Sequence, residues 1–329
     1  MDISFVIPCY CSAKTLPFVT AEVKMAMEKI NISDYEVILV NDCSPDGGET
    51  WQKIVDLCIE DPHIKGVDLA KNSGQGSATM AGLSQAIGKL VAVGDDDGQT
   101  PIEHIPEMIQ MLEKNKFDVV CANYVERGCR SLLRRFGSWV NIKTTYYALD
   151  IPAGLPISVF FVAQQFVIKE MLCYTNPYPY IMGLITQVTH NIGGIDLGQR
   201  ERLSGKSGYT FHKLLAMWLD GLTAFTVKPL RIAAIAGFSF AAIGFLTGAG
   251  TIIRKLLYPS IATGYTSIVA LLLLIGGMIM MMLGLLGEYI GRIYICINNR
   301  PQYVIKEKRN IKEEKQNEKN ADIWMQPLR

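Results

Sequence analysis

Two charge-free runs near the C-terminal end limit the folds open to this 329-residue chain more than any other feature. Ile232 to Ile253 holds 22 residues without an acid or a base. As a helix rising about 1.5 Å per residue it spans about 33 Å, against a hydrocarbon core about 30 Å thick. Pro259 to Gly287 is a second uncharged run, almost wholly apolar from Leu271 to Leu286. Joined by the short Arg254–Tyr258 connection, the two read as a hairpin of transmembrane helices at about 232–253 and 264–287, so the segments before 231 and after 290 lie on one side. Basic residues flanking that side (Lys206, Lys213, Lys228, Arg231, Arg292, Arg300, Lys306) outnumber Arg254 and Lys255 in the loop, which places both termini in the cytoplasm. Met1 to Phe5 enters a strand directly with no basic leader, so no signal peptide is expected.

The rest of the chain reads as a globular α/β domain over 1–205. Apolar runs at Ile3–Pro8, Glu36–Val40, Ile64–Leu69, Leu90–Gly94 and Val119–Ala122 alternate with amphipathic stretches at Thr15–Lys29, Glu49–Glu60, Gly76–Ile87 and Ile102–Lys114. Strand and helix in alternation imply right-handed crossovers and a Rossmann-like, mostly parallel sheet, with ligands bound beyond the carboxyl ends of its strands. Segment 206–230 reads as a juxtamembrane amphipathic helix. Residues 291–329 read as a cytoplasmic tail, expected to be disordered beyond Val304 because Lys, Glu and Asn dominate there. With 32 basic against 31 acidic residues, the charge gives no argument for nucleic-acid binding. Eight scattered cysteines without a second close pair for a zinc site read as reduced thiols.

One run ends in chemistry. Leu90–Gly94 is followed by Asp95-Asp96-Asp97-Gly98-Gln99-Thr100-Pro101. Three adjacent carboxylates repel one another and cost desolvation, so a positive partner is expected. Asp95 and Asp97 lie two apart, point the same way off an extended backbone, and reach a hard cation such as Mg2+ or Mn2+ through oxygen. The alternative is an acidic surface turn before a capped helix, because Thr100 with Glu103 makes a capping box and Pro101 suits the first helical position. Asn72-Ser73-Gly74-Gln75-Gly76 reads as a phosphate-binding glycine turn. It is not a dinucleotide fingerprint, since Thr79 replaces the last Gly, and no Walker A sequence occurs. Asp42, after the second strand, is placed to accept from a base or ribose, or to cap the next helix.

From Arg127 onward, Arg130, Arg134 and Arg135 alternate with Leu132, Leu133, Phe136 and Trp139 at helical spacing, the pattern of a membrane-surface helix or of an ordinary amphipathic one. A similar pattern runs from Phe211 to Val227. Between them lies Arg202-Leu203-Ser204-Gly205-Lys206-Ser207-Gly208-Tyr209, a Gly/Ser turn whose two cations suit an anionic headgroup.

Ile7-Pro8-Cys9-Tyr10, Val40-Asn41-Asp42-Cys43-Ser44-Pro45-Asp46, Asn72 to Gly76, Asp95 to Pro101 and the hairpin ending Leu286-Gly287-Glu288-Tyr289-Ile290-Gly291-Arg292 occur in that order. In this ordered set the chain resembles the polyprenyl-phosphate type of family 2 glycosyltransferase, the group of the dolichol-phosphate and undecaprenyl-phosphate sugar transferases. The resemblance covers all but the tail. It implies a GT-A fold in which Asp95 and Asp97 are the D-x-D metal ligands holding a nucleotide-sugar diphosphate, with Gln99 near the sugar. Pro8, Tyr10, Asp42, Asp46, Lys71, Asn72, Gly76 and Asp96 would form the nucleotide-sugar site. Arg127, Arg130, Arg134, Arg202, Lys206, Ser207 and Tyr209 would take the acceptor phosphate. The implied partners are a nucleotide sugar (UDP- or GDP-linked), a polyprenyl phosphate, membrane lipid of a bacterial plasma membrane and, by family habit, a second copy of the chain.

Two departures stand out. Cys11-Ser12-Ala13 occupies the place of the family's common Asn-Glu, and Leu155 to Phe161 carries no acid where many members have an Asp proposed as base. A phosphate monoester with a second pKa of about 6 is already a dianionic nucleophile near neutral pH, so a base is dispensable. A non-catalytic nucleotide-sugar-binding membrane partner or lipid carrier with the same fold is the alternative reading. A processive synthase is disfavoured by the absence of Gln-x-x-Arg-Trp and of further spans.

Overall fold

The computed structural model describes residues 1–124, 158–198, 200, 264–298 and 300–311, with isolated positions within 143–146 and 230–257. They fall in two compact units, one drawn from Met1–Gly128, Gly154–Lys206 and Pro301–Arg329, the other from Cys129–Ala153 and Ser207–Arg300.

The first unit is built on β1 (Ile3–Cys9), β2 (Tyr35–Asn41), β3 (Ile64–Leu69) and β4 (Leu90–Val93), connected by α1 (Leu16–Lys29), α2 (Glu49–Glu60) and α3 (Gln75–Leu83). Every residue of β1 and β2 is buried, which is why these strands read as largely apolar runs rather than alternating ones; the buried Ser4 hydroxyl donates to the buried Glu36 carboxylate. β1 pairs in parallel with both β2 and β4, and β2 in parallel with β3. After β4 come a 3-10 turn (Ile102–His104), α4 (Ile105–Asn115), β5 (Val119–Tyr124), β6 (Phe161–Gln164), α5 (Gln165–Met171), α6 (Ile181–Val188) and β7 (Ile192–Leu197). β6 runs antiparallel between β4 and β5, and β7 extends the sheet in parallel beyond β5. With β8 (Ile305–Arg309), the eight-stranded order is β7-β5-β6-β4-β1-β2-β3-β8, a mixed sheet with mostly parallel pairs.

α3 lies directly on this sheet. A Cβ at Gly82 would sit 2.4 Å from Val6 Cγ1 and 2.9 Å from Val40 Cγ2, so only glycine lets the helix approach β1 and β2 this closely. The helix that presents the glycine turn is thereby fixed against the two strands that present Tyr10 and Asp42.

Two expectations are corrected here. Thr100 and Glu103 form no capping box. The Thr100 hydroxyl accepts from the Asp95 amide at 3.1 Å, and Glu103 pairs with Arg200 at 2.5 Å. Pro101 precedes the 3-10 turn instead of opening a helix, and α4 starts only at Ile105. Thr100 is taken up inside the acidic turn, and Glu103 by an ion pair with a residue 97 positions away. The tail is not disordered over 305–311 either: β8 (Ile305–Arg309) adds to the β3 edge in antiparallel register. Charge-dense strands tolerate an edge, where one rim faces water. Positions 312–329 lie outside the described residues.

In the second unit, α7 (Tyr265–Ile297) is one continuous helix of 33 residues, three turns longer than the run ending at 287 suggests. Ile275–Ile297 within it is, among the described residues, the one stretch long and apolar enough to cross a membrane. Leu272, Met280 and Ile290 are among its exposed side chains. Gly237, in the first charge-free run, comes close enough to α7 that a Cβ there would stand 2.6 Å from the Met282 methyl. Ten of the 22 positions of 232–253 lie outside the described residues.

Candidate active site

The carboxyl ends of β1 to β4 are drawn together by hydrogen bonds, as a mostly parallel sheet requires of a ligand crevice. Between the first two ends, the Asp42 amide donates to Cys9 O at 3.0 Å and the Cys11 amide to Ser44 Oγ at 3.0 Å. From the first to the fourth, the Tyr10 amide donates to Asp96 Oδ2 at 2.8 Å. From the second to the third, Asp42 accepts from the amides of Ser73 at 2.7 Å and Gly74 at 2.9 Å. From the third to the fourth, Gln75 Nε2 donates to Asp95 Oδ1 at 2.7 Å. Cys11 (φ 54) and Cys43 (φ 49) both adopt left-handed backbone just beyond their strands, where the chain bends sharply to make these contacts.

The acidic triplet itself turns through Gly98, whose φ of 75 permits the reversal that brings the Gln99 amide back to Asp97 Oδ1 at 3.0 Å. Asp95, Asp96 and Asp97 are each half-buried. Burial pushes the Asp96 carboxyl up; the Tyr10 amide counters this, and the neighbouring Asp97 charge adds to it. At the end of β5, burial and then the charges of Asp95 and Asp97 push the Tyr124 phenol well above its ordinary value. The strand end is therefore a concentrated field of negative hard oxygen. That donor chemistry fits a divalent cation of the Mg2+ or Mn2+ type. Among the described residues no group of three or more His, Cys, Asp or Glu side chains is arranged to hold a metal by itself, so a cation at Asp95 and Asp97 needs ligands from substrate or water.

Not every residue expected at the nucleotide-sugar site faces the crevice. Tyr10, Lys71 and Asn72 are exposed at its rim. Pro8, by contrast, is buried in β1 opposite Val40. Asp46 serves the first turn of α2: against the cost of its burial, the Thr50 hydroxyl and the Thr50 and Gly48 amides hold its carboxyl below the ordinary value. Both oxygens of Asp42 already hold the loop of Ser73 and Gly74, and burial pushes its carboxyl up. Gly76 sits beneath Pro179, whose carbonyl oxygen would lie 2.3 Å from a Cβ there. Arg127, Arg130, Arg134, Arg202, Lys206, Ser207 and Tyr209 lie outside the described residues.

Sequence reasoning missed Arg200. Its guanidinium bridges Glu22 of α1 at 2.6 Å and Glu103 at 2.5 Å, and its carbonyl accepts from Gln99 Nε2 at 3.0 Å. Gln99 thus ties the acidic triplet to the residue two positions before Arg202. The partners are separated by 101 and 178 positions, so no local pattern announces them.

Residues 4–172 match glycosyl transferase family 2, and residues 228–293 match the GtrB C-terminal hairpin. The bactoprenol glucosyl transferase of Shigella phage SfII is 30% identical over 312 residues, which is 93% of this chain and 98% of that one. The undecaprenyl-phosphate 4-deoxy-4-formamido-L-arabinose transferase of Photorhabdus laumondii is 33% identical over 307 residues, 92% and 93% of the two chains. Among solved structures, the mannosyl-3-phosphoglycerate synthase of Rubrobacter xylanophilus superimposes with a TM-score of 0.52 over 70% of this chain and 74% of that one, at 21% identity, a likeness of fold. The crossed strand ends, the acidic triplet and these near-full-length relatives agree that the chain, a GT-A domain followed by a GtrB-type hairpin segment, belongs to glycosyl transferase family 2.

Proposed function

We propose that the protein transfers one sugar from a nucleotide sugar to a polyprenyl phosphate, undecaprenyl phosphate being the acceptor that its relatives' names point to. The observation that carries this reading is the acidic triplet held at the meeting point of four strand ends, in a chain that also bears an apolar membrane-length helix. Domain 1–205 carries the chemistry, 206–230 lies along the membrane surface, 231–290 anchors it, and both termini are cytoplasmic.

Asp95 and Asp97 would hold the cation, which neutralises charge on the departing diphosphate. Tyr10, Lys71 and Asn72 would line the nucleotide, and Asp42 would act on it through the Ser73–Gly74 turn that it holds. Asp96 would fix the Tyr10 turn. The acceptor phosphate, dianionic near neutral pH, would attack the anomeric carbon in line and invert it, with no protein base. Arg127, Arg130, Arg134, Arg202, Lys206, Ser207 and Tyr209 would orient the lipid phosphate, and Gln99 would tie the triplet to the Arg200 backbone. Holding both partners in this geometry makes a membrane encounter effectively unimolecular.

The test is to incubate the purified protein with Mn2+ or Mg2+, undecaprenyl phosphate and a panel of radiolabelled UDP- and GDP-sugars, following label into the organic phase. Metal-dependent label in lipid from one donor supports the reading and names the sugar. Nucleotide binding with no label from any donor supports a non-catalytic membrane partner instead.

A further inference from the structure

β8 follows the apolar helix in the chain, yet it is stitched to the sheet beside the donor crevice. Ala70, the last residue before the exposed Lys71–Asn72 rim, donates its amide to Val304 O at 2.9 Å. Gln302 Nε2 donates to the carbonyls of Tyr174 at 2.9 Å and Asn176 at 2.8 Å. Asn310 Nδ2 donates to Cys58 O at 2.6 Å and Ile64 O at 2.9 Å. Beside this strand, in register with Glu307, lies Asp68, a carboxylate only 4% exposed on β3, with Lys306 Nζ at 3.3 Å from Oδ2.

A line of hydrogen bonds leads from Asp68 to the crevice, and the chemistry of each group fixes the next. An ionised carboxylate only accepts, so the Asn41 amide must turn its NH2 toward Asp68 Oδ1, at 2.7 Å. Its oxygen then faces Ser44 and accepts the hydroxyl at 2.7 Å and the amide at 3.3 Å. With its proton committed, Ser44 Oγ has lone pairs left for the Cys11 amide at 3.0 Å. The adjacent Tyr10 amide is the one bound by Asp96. Asn41 is 5% exposed, so reversing it would bury oxygen against oxygen at one end and leave Ser44 without an acceptor at the other.

We infer that Asp68, flanked by β8, and Asn41 are positioning residues for the nucleotide sugar: they set the Tyr10–Cys11 turn without touching the ligand. The inference rests on the donor site proposed above. Lys306 is 65% exposed, so its ion pair adds little alone, and the buried relay and strand pairing carry the effect.

The test uses the full-length protein in detergent, with UDP-glucose or whichever UDP- or GDP-sugar the wild type accepts. Asp68→Leu and Asn41→Leu raise the donor KM about tenfold, the size expected from loss of a buried charge-assisted hydrogen bond, while kcat and the KM for undecaprenyl phosphate stay within about twofold. Asp68→Asn, which still offers Asn41 an oxygen, restores the donor KM. A fall in active fraction or kcat at unchanged donor KM overturns the inference, because packing alone accounts for that. UDP titration by calorimetry separates the two readings. If the wild type transfers nothing yet binds UDP, and Asp68→Leu weakens binding about tenfold, the positioning role stands and the acceptor reading falls. If transfer is intact and Asp68→Leu leaves donor KM unchanged, the reverse holds.

Discussion

Gln99 Nε2 reaches across 101 positions of chain to donate to the Arg200 carbonyl at 3.0 Å, while its own amide donates to Asp97. One side chain therefore joins the turn that carries the acids to the segment leading into Arg202. Gln99→Leu keeps the volume and removes the link. The KM for undecaprenyl phosphate is expected to rise about tenfold with the donor KM little changed, measured by varying each substrate in turn. A donor-side defect would place Gln99 on the sugar instead.

Asp97→Asn and Asp95→Asn each remove one negative oxygen from the proposed cation site. Losing a group that stabilises transition-state charge costs about 10²–10³ in turnover. Each variant is expected to lose at least that much kcat while UDP binding in EDTA stays near wild type. Turnover within tenfold of wild type would remove both residues from the chemistry.

Gly82 permits the close seat of α3 on β1 and β2. Gly82→Ala pushes a methyl into Val6 and Val40 and should destabilise the domain by about 1–3 kcal/mol, read as a lower unfolding temperature of the detergent-solubilised protein. The same helix starts at the glycine turn, so donor KM should rise in parallel.

Asp46 supplies an acid-side signature. Its carboxyl titrates below the ordinary 3.8 in the folded chain because Thr50 and Gly48 outweigh the cost of burial. A group depressed on folding contributes stability that is present above its unfolded pKa and lost as pH falls through the folded one. Asp46→Asn should therefore lower stability at neutral pH and narrow the gap to wild type as pH drops below about 4, followed by denaturant unfolding at several pH values. A gap that widens on acidification would contradict the assignment of Asp46 to α2.

The strands β1 to β4 were legible because burial on both faces leaves largely apolar runs bounded by Gly, Pro and acids, with Glu36 and Asp68 among the buried exceptions. β8 was not, because Lys306, Glu307, Lys308 and Arg309 look like solvated tail, and nothing local reveals that β3 leaves an edge open for them. The acidic triplet was legible for the opposite reason: adjacent carboxylates after a buried strand are costly unless something uses them. Asp42 and Asp46 show the limit. A carboxylate in a turn is also the best acceptor for nearby backbone amides, and in the folded chain both are engaged that way first. The Arg200 bridge and the Asp68–Asn41–Ser44 relay join residues far apart in sequence and become visible only once the sheet order is known.

The most direct measurement is the mass balance of one reaction: labelled donor sugar, undecaprenyl phosphate and metal with the purified full-length protein. One lipid product heavier by a single glycosyl unit is expected, formed in equal amount with the nucleoside diphosphate and absent with Asp97→Asn. Release of free sugar and nucleotide without a lipid product, or lipid product that persists in Asp97→Asn, would contradict the proposed transfer.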